Sequence, residues 1–177
     1  VDSANPNQSF SNKLAKFFYD SGKFLPTCIL DGLPADAITF KEQATTWLRE
    51  HADVVILTNL LDHRAGPRTE QLKAVGIDAP VYCNQGGKGE ALGRILDEYK
   101  PSVAVFVDDL GHQHESVGEQ HPDVWRLHFV GEPLLWDRVN ASKAAHARLD
   151  RWADAEVWIR ERLVANAPAP ILEAVVE

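Results

Sequence analysis

Apolar residues follow two patterns along this chain, one typical of helices and one typical of short strands. Apolar positions three and four apart predict helices at about 10–20, 39–51, 69–76, 86–99, 114–120 and 142–165. Continuous apolar runs too short for helices predict strands at 27–30, 53–57, 80–83, 103–107 and 124–129. Because strands and helices alternate, the pattern favours parallel strands joined by right-handed helical crossovers, and so a layered α/β fold.

The last predicted helix, about 142–165, has both an apolar stripe and a set of arginines. The apolar stripe predicted to face the domain consists of Leu149, Trp152, Ile159 and Leu163. The arginines Arg148, Arg151, Arg160 and Arg162 are interpreted as a solvated face of the same helix. This segment is therefore expected to be a helical extension of the domain.

Composition limits the classes of partner that this chain can bind. Its 177 residues suit one globular domain, and 26 acidic against 18 basic side chains give a net charge of −8. This balance argues against nucleic-acid binding, which needs clustered Lys and Arg, but leaves a cation-dependent site open. The longest apolar runs are far shorter than the roughly 20 residues that span a bilayer, so we expect no membrane partner.

Cysteine and methionine usage bears on processing and compartment. Cys28 and Cys83 are interpreted as two buried thiols, with a single bridge as the open alternative. The chain contains no Met, so we expect either a processed N-terminus or a fragment of a longer chain. A cytoplasmic protein is expected, with a processed secreted or periplasmic form as the alternative. The sequence leaves the oligomeric state open.

Polar side chains follow two of the predicted strands at the point where each strand ends. Thr58 and Asn59 come after the strand at 53–57, and Asp108 and Asp109 come after the strand at 103–107. Lys88 follows two glycines at the start of a predicted helix. Ligands of open parallel sheets bind beyond the carboxyl ends of the strands. A hydroxyl, an ammonium at a helix N-terminus and two carboxylates suit a phosphate ester with Mg²⁺.

Three segments that carry these residues resemble motifs II, III and IV of the haloacid dehalogenase (HAD) superfamily, in the family's order. They are VVILTN (54–59), GGKGEAL (86–92) and VFVDD (105–109), and the resemblance extends over about 39–130. It implies a Rossmann-like parallel sheet with helices on both faces and little or no cap domain. It also implies one domain over 1–177, with a segment around motif I at 1–38, a core at 39–130 and a C-terminal helical extension at 131–177.

The resemblance also implies an activity, a cofactor and a set of site residues. The activity is Mg²⁺-dependent hydrolysis of a small phosphorylated substrate through an aspartyl-phosphate. By the resemblance, the catalytic residues are Thr58, Lys88 and Asp109, and the substrate-binding residues are Thr58, Asn59 and Lys88. Asp108 and Asp109 are the implied Mg²⁺ ligands.

The sequence departs from the family at motif I, a strand ending in DxDx(T/V) whose first Asp is the nucleophile. No such string occurs in the chain. In one interpretation the motif lies upstream of Val1. In another, Asp31 takes the nucleophile position and Leu33 stands where the acid/base belongs, which predicts a poor catalyst. In a third interpretation, neither the nucleophile nor the acid/base is assigned. The alternative function is a catalytically silent HAD-like domain that binds a ligand or a protein partner.

Other residues with reactive or metal-binding side chains have more ordinary interpretations. We interpret His112, His114 and His121 as surface or pocket-lining residues, because a zinc site needs further ligands. His63 and Arg64 follow the Thr58 strand, where they could contact the leaving group of a substrate. Cys83 lacks the paired base that a nucleophilic thiol requires.

Overall fold

Five short strands and four α-helices alternate along residues 51–74 and 77–172, which this computed structural model describes. The strands are β1 (Ile56–Thr58), β2 (Val81–Cys83), β3 (Val105–Asp108), β4 (Trp125–Phe129) and β5 (Ala147–Leu149). The helices are α1 (Ala65–Ala74), α2 (Gly89–Tyr99), α3 (Gly111–Gln120) and α4 (Trp152–Ala165), and 3₁₀ helices span Asp62–Arg64 and Pro133–Leu135.

The described strands form two sheets, and every pairing in them is parallel. β1 pairs with β2, with Thr58 opposite Cys83. The second sheet has the order β3-β4-β5, with Asp108 opposite His128. The predicted α/β architecture with parallel strands is therefore confirmed for the described residues.

Alternation of side chains along the strands builds two apolar clusters on opposite faces of the three-stranded sheet. Phe106 of β3 packs with Leu92 of α2 and Val117 of α3 on one face. On the other face, Leu127 of β4 packs with Ile159 of α4, and Val105 and Val107 of β3 pack against the same cluster. Leu57 of β1 packs against the first cluster, so both sheets contribute side chains to the core beneath α2 and α3.

The C-terminal part of the chain differs from its prediction. The predicted helix at 142–165 is wrong over its first ten residues, because 147–149 form β5 and the helix begins at Trp152. The backbone N–H of His146 donates to the carbonyl of Arg126, and this bond starts the pairing of β5 with β4. Apolar spacing alone cannot separate a short strand followed by a helix from one longer helix.

Two of the four arginines interpreted as a solvated face make ion-pair, hydrogen-bond or cation–π contacts within the protein. The half-buried Arg148 pairs with Asp150 at 3.1 Å and donates to the carbonyl of Trp136 at 2.8 Å. The guanidinium of Arg162 lies 4.2 Å from the ring centroid of Trp158 and 5.3 Å from that of Trp125. The interpretation as a solvated face is therefore wrong for these two residues.

The remaining predictions differ mainly in their boundaries. α1 begins at Ala65 and so includes Pro67, which stands in the first turn where its missing N–H costs no hydrogen bond. The predicted elements at 10–20 and 27–30 lie outside the described residues, as do residues 39–50 of the predicted helix at 39–51 and Cys28. Cys83 has a free thiol. In the part of the chain that is described, no helix has both the length and the apolar character needed to cross a membrane.

Trp152 anchors α4 to the sheet, which makes its truncation a test of this packing. Its ring centroid lies 4.0 Å from that of Phe129, although the side chain is only half-buried. We expect Trp152→Ala to lower the free energy of unfolding by about 2 kcal/mol, somewhat less than for fully buried aromatic residues. Urea unfolding measures this loss, with Val157→Ala on the exposed side of α4 as the control. An equal, small effect in both variants would show that α4 is peripheral.

Candidate functional site

Lys88 and Asp108 form an ion pair at the carboxyl end of β3. Lys88 Nζ lies 2.5 Å from Asp108 Oδ2, and the two side chains are only 13% and 4% exposed. The other carboxylate oxygen, Oδ1, accepts a hydrogen bond of 2.9 Å from the backbone N–H of Leu110. Both oxygens of Asp108 therefore have donors, as a buried carboxylate requires.

The first turn of α2 places Lys88 through contacts with α3. The backbone N–H of Lys88 donates to Oε1 of Gln113 at 2.9 Å, and the N–H of Gly89 donates to Oγ of Ser116 at 3.0 Å. A Cβ at Gly89, the first residue of α2, would lie 2.3 Å from the backbone oxygen of Ser116, and one at Gly87 would lie 2.4 Å from its Oγ, so neither position leaves room for a side chain. The glycines that precede and follow Lys88 thus permit this contact.

A hydrogen-bond network joins the Lys88 loop to the end of β1. Asn59 Nδ2 donates to the carbonyl of Gly86 at 2.9 Å, and Asn84 Nδ2 donates to Oδ1 of Asn59 at 3.1 Å. The backbone N–H of Asn84 donates to the carbonyl of Thr58 at 2.9 Å. Gln113 Nε2 also donates to the Gly86 carbonyl, at 3.2 Å. The loops that carry Asn59 and Lys88 are therefore fixed relative to each other.

Asp109 is the solvent-exposed carboxylate of the acidic pair. The surrounding protein and the adjacent Asp108 raise its pKa above the usual range, and Lys88 opposes this only in part. Asp109 is therefore the side chain of the pair that a ligand from solvent can reach without breaking the Lys88–Asp108 ion pair.

Two fully buried histidines lie beneath the acidic pair. His114 Nε2 is 3.0 Å from the carbonyl oxygen of Asp108, and His128 Nε2 is 3.0 Å from that of Asp109. The two rings are 5.3 Å apart between centroids. Burial lowers the pKa of His114 to about 4. The interpretation of His114 as a surface or pocket-lining residue is therefore wrong.

Sequence reasoning missed His128 and Gln113. His128 stands between Leu127 and Phe129 in an apolar strand, and a polar residue at such a position is a signal of a buried contact. Gln113 is 1% exposed, yet it lies in the polar string GHQHES, and nothing in that string indicates its burial.

The other candidate residues have surroundings that do not mark them as reactive. His63 and Arg64 are exposed on the 3₁₀ helix after β1, where Arg64 Nε donates to His63 Nε2 at 3.2 Å. His121 Nε2 lies 3.0 Å from the carbonyl of Gly89. Burial and Asp62 raise the pKa of the Cys83 thiol, the opposite of what a nucleophilic thiol needs.

The donors at this site suit Mg²⁺ better than a transition metal. In residues 51–74 and 77–172, no three His, Cys, Asp or Glu side chains come together as a metal site. Asp108 and Asp109 supply two carboxylates, and Mg²⁺ commonly takes one or two carboxylates with water and substrate phosphate. A bound cation would favour the charged form of Asp109, whose pKa is raised first by burial and then by the adjacent Asp108. Four-coordinate zinc, which favours His and Cys, fits this donor set poorly.

Comparisons with protein-family models, with curated proteins and with solved structures found no match to this chain. The resemblance to the HAD superfamily therefore rests on the three sequence segments alone.

Proposed function

We propose that this chain is a Mg²⁺-dependent phosphohydrolase of HAD type, built on a Rossmann-like sheet with little or no cap. The observation that carries the proposal is the Lys88–Asp108 ion pair at the end of β3, with the exposed Asp109 beside it. An ammonium and two carboxylates at the carboxyl end of a parallel strand match what a phosphate ester and a divalent cation need.

The proposed roles follow from where the side chains lie. Asp109 and Asp108 would hold Mg²⁺, which when bound supplies positive charge against the charge that develops in phosphoryl transfer. Lys88 would donate to phosphoryl oxygens from the start of α2, where the helix dipole also favours an anion. Thr58 and Asn59, tied to the Lys88 loop through Asn84, would bind the phosphoryl group from the side of β1.

The nucleophile of this proposal is a carboxylate that attacks phosphorus and expels the ester oxygen, giving an aspartyl-phosphate. Water then cleaves that acyl phosphate and releases inorganic phosphate. Among the described strands, β1 pairs only with β2, and β3 pairs only with β4, so each has an edge available. In the HAD-like arrangement the nucleophile strand is central, and under this proposal it would pair with these edges. Two sources of this nucleophilic carboxylate stay open. One is Asp31, which lies outside the described residues, and the other is an upstream motif.

Asp109→Asn tests the metal assignment. The change keeps the size of the side chain and removes the charge that would bind the cation, so we expect Mg²⁺ affinity to fall at least tenfold. Titration calorimetry with Mg²⁺ alone measures this. Asp97→Asn, an exposed carboxylate on α2, is the matched control and should bind as the wild type does. Equal affinity in the Asp109 variant and the wild type would remove Asp109 from the site.

A catalytically silent HAD-like domain that binds a ligand or partner is the second candidate. Its support is that the chain contains no DxDx(T/V) string and that both oxygens of Asp108 already have donors. Tungstate, a tetrahedral phosphate analogue, separates the two candidates when combined with an assay of aryl phosphate hydrolysis. Binding that strengthens with Mg²⁺, together with turnover, supports the enzyme. The same binding without turnover supports the silent domain.

A further inference from the structure

Two successive backbone carbonyls, those of Asp108 and Asp109, each lie within hydrogen-bond distance of a different buried imidazole. His114 comes from α3 and His128 from β4, and both rings are 0% exposed. A carbonyl oxygen can only accept, so each histidine donates from Nε2–H. On the opposite side of the His128 ring, Nδ1 accepts a bond of 3.0 Å from the backbone N–H of Ser142. The contacts of His128 therefore set one tautomer.

The two accepting carbonyl oxygens lie in the peptide planes on either side of the Asp109 Cα. The oxygen of Asp108 belongs to the peptide plane before the Asp109 Cα, and the oxygen of Asp109 belongs to the plane after it. Because peptide units are planar, fixing both planes fixes the backbone dihedrals of Asp109 and so the direction of its Cα–Cβ bond. The second plane also includes the N–H of Leu110, which donates to Oδ1 of Asp108 at 2.9 Å. The same peptide thus links His128 to the Asp108 carboxylate.

We propose that His114 and His128 are positioning residues that aim the Asp108 and Asp109 carboxylates through the backbone carbonyls. The two imidazoles are buried and do not face the ligand. They act through the two peptide planes, as the outer-shell partners of metal ligands do. Burying a polar group is unfavourable unless it forms a hydrogen bond. A role in filling space alone therefore does not explain why two neighbouring positions in the core are both histidine. Packing supports the arrangement: the His114 ring is edge-on to Phe106, with centroids 5.4 Å apart.

Substitution in matched pairs separates positioning from packing. Glutamine carries an N–H donor the same number of bonds from Cβ as histidine Nε2, whereas leucine fills similar space without a donor. The variants are His114→Gln and His114→Leu, with the same pair at His128. If a leucine variant does not fold, His114→Asn or His128→Asn replaces it, because the asparagine donor is one bond too short to reach the carbonyl.

The first readout is independent of any metal. Hydrogen exchange at the Leu110 amide reports whether its bond to the Asp108 carboxylate persists, and Leu127 in the central strand β4 serves as the reference for global opening. We expect faster exchange at Leu110 relative to Leu127 in the leucine variants and near wild-type exchange in the glutamine variants. An unchanged Leu110-to-Leu127 ratio in the leucine variants overturns the inference.

The second readout, Mg²⁺ affinity by calorimetry, rests on the proposed function. We expect the leucine variants to weaken Mg²⁺ binding roughly tenfold or more, and the glutamine variants to stay within about threefold of the wild type. Equal losses in the glutamine and leucine variants would overturn the positioning role in favour of a packing role. If the wild type itself does not bind Mg²⁺ while Leu110 exchange follows the expected pattern, the metal assignment fails and the positioning inference stands.

Discussion

Replacing Lys88 with methionine should lower kcat/KM for an aryl phosphate such as p-nitrophenyl phosphate by about 10²–10³-fold. This is the range measured when one preorganised donor to a developing oxyanion is removed. Methionine has a similar length and no charge, so it can occupy the space of the lysine side chain, whose Nζ lies 5.9 Å from the ring centroid of Phe106. Initial rates with and without Mg²⁺ measure the effect.

The substitution has a second consequence that must be separated from the first. It leaves the Asp108 carboxylate buried without its ion-pair partner, a change that typically costs about 3–5 kcal/mol of stability. The double variant Lys88→Met with Asp108→Asn removes that uncompensated charge and should unfold at a higher urea concentration than the single variant. Its activity should stay at least as low as that of the single variant, because Asp108 is itself a proposed Mg²⁺ ligand. Recovery of turnover along with stability would contradict the proposed roles of both Lys88 and Asp108, and turnover at the wild-type rate in the single variant would contradict the role of Lys88 directly.

The sequence predicted the positions of Lys88 and Asp108 because both depend on local pattern. An apolar run ending in two aspartates indicates the end of a strand, and two glycines before a lysine indicate a helix start. The parallel arrangement then places these ends on one side of a sheet. Topology predicts only that these ends share one side of a sheet; the ion pair of 2.5 Å between Lys88 and Asp108 was not predicted.

The buried polar residues could not be predicted in the same way, because their burial depends on partners far away in sequence. Arg126 is 2% exposed, and its guanidinium donates to four carbonyls, those of His121, Pro122, Val124 and Ala144. His114 and Gln113 bond to the backbone at Asp108 and Gly86. Carbonyl acceptors leave no mark on the sequence, since every residue carries one. Polar strings such as GHQHES therefore look solvated until the fold supplies their partners.

The error at the C-terminal segment has a different physical cause. Leu149 lies in β5 and Trp152 in α4, yet their spacing is the same three residues that one helical turn would give. The pairing of β5 with β4 decides the outcome, and that contact joins residues about twenty positions apart. Tertiary pairing thus overrides a helical pattern that is locally acceptable.

Acid should destabilise this protein through His114 more than through an ordinary surface histidine. Its pKa is lowered from 6.5 to about 4, first by burial and further by His128 and Arg126, while the Asp108 carbonyl and charge oppose the shift. Below pH 6.5 the unfolded chain takes up a proton at this residue, whereas the folded chain does not until about pH 4. The contribution of His114 to the free energy of unfolding is therefore fully present above pH 6.5 and is lost as the pH falls toward 4.

The expected size follows from linkage: about 2–3 kcal/mol of unfolding free energy should be lost between pH 7.5 and pH 4.5 through this one residue. Urea unfolding at the two pH values measures the total loss, to which other groups also contribute. His114→Gln keeps a donor to the Asp108 carbonyl and has no titrating ring, so the difference between the two proteins isolates the histidine. We expect the wild type to lose about 2–3 kcal/mol more than the variant. Parallel losses in the two proteins would mean that the imidazole takes up its proton in the folded state at an ordinary pH, and would contradict the lowered pKa of His114.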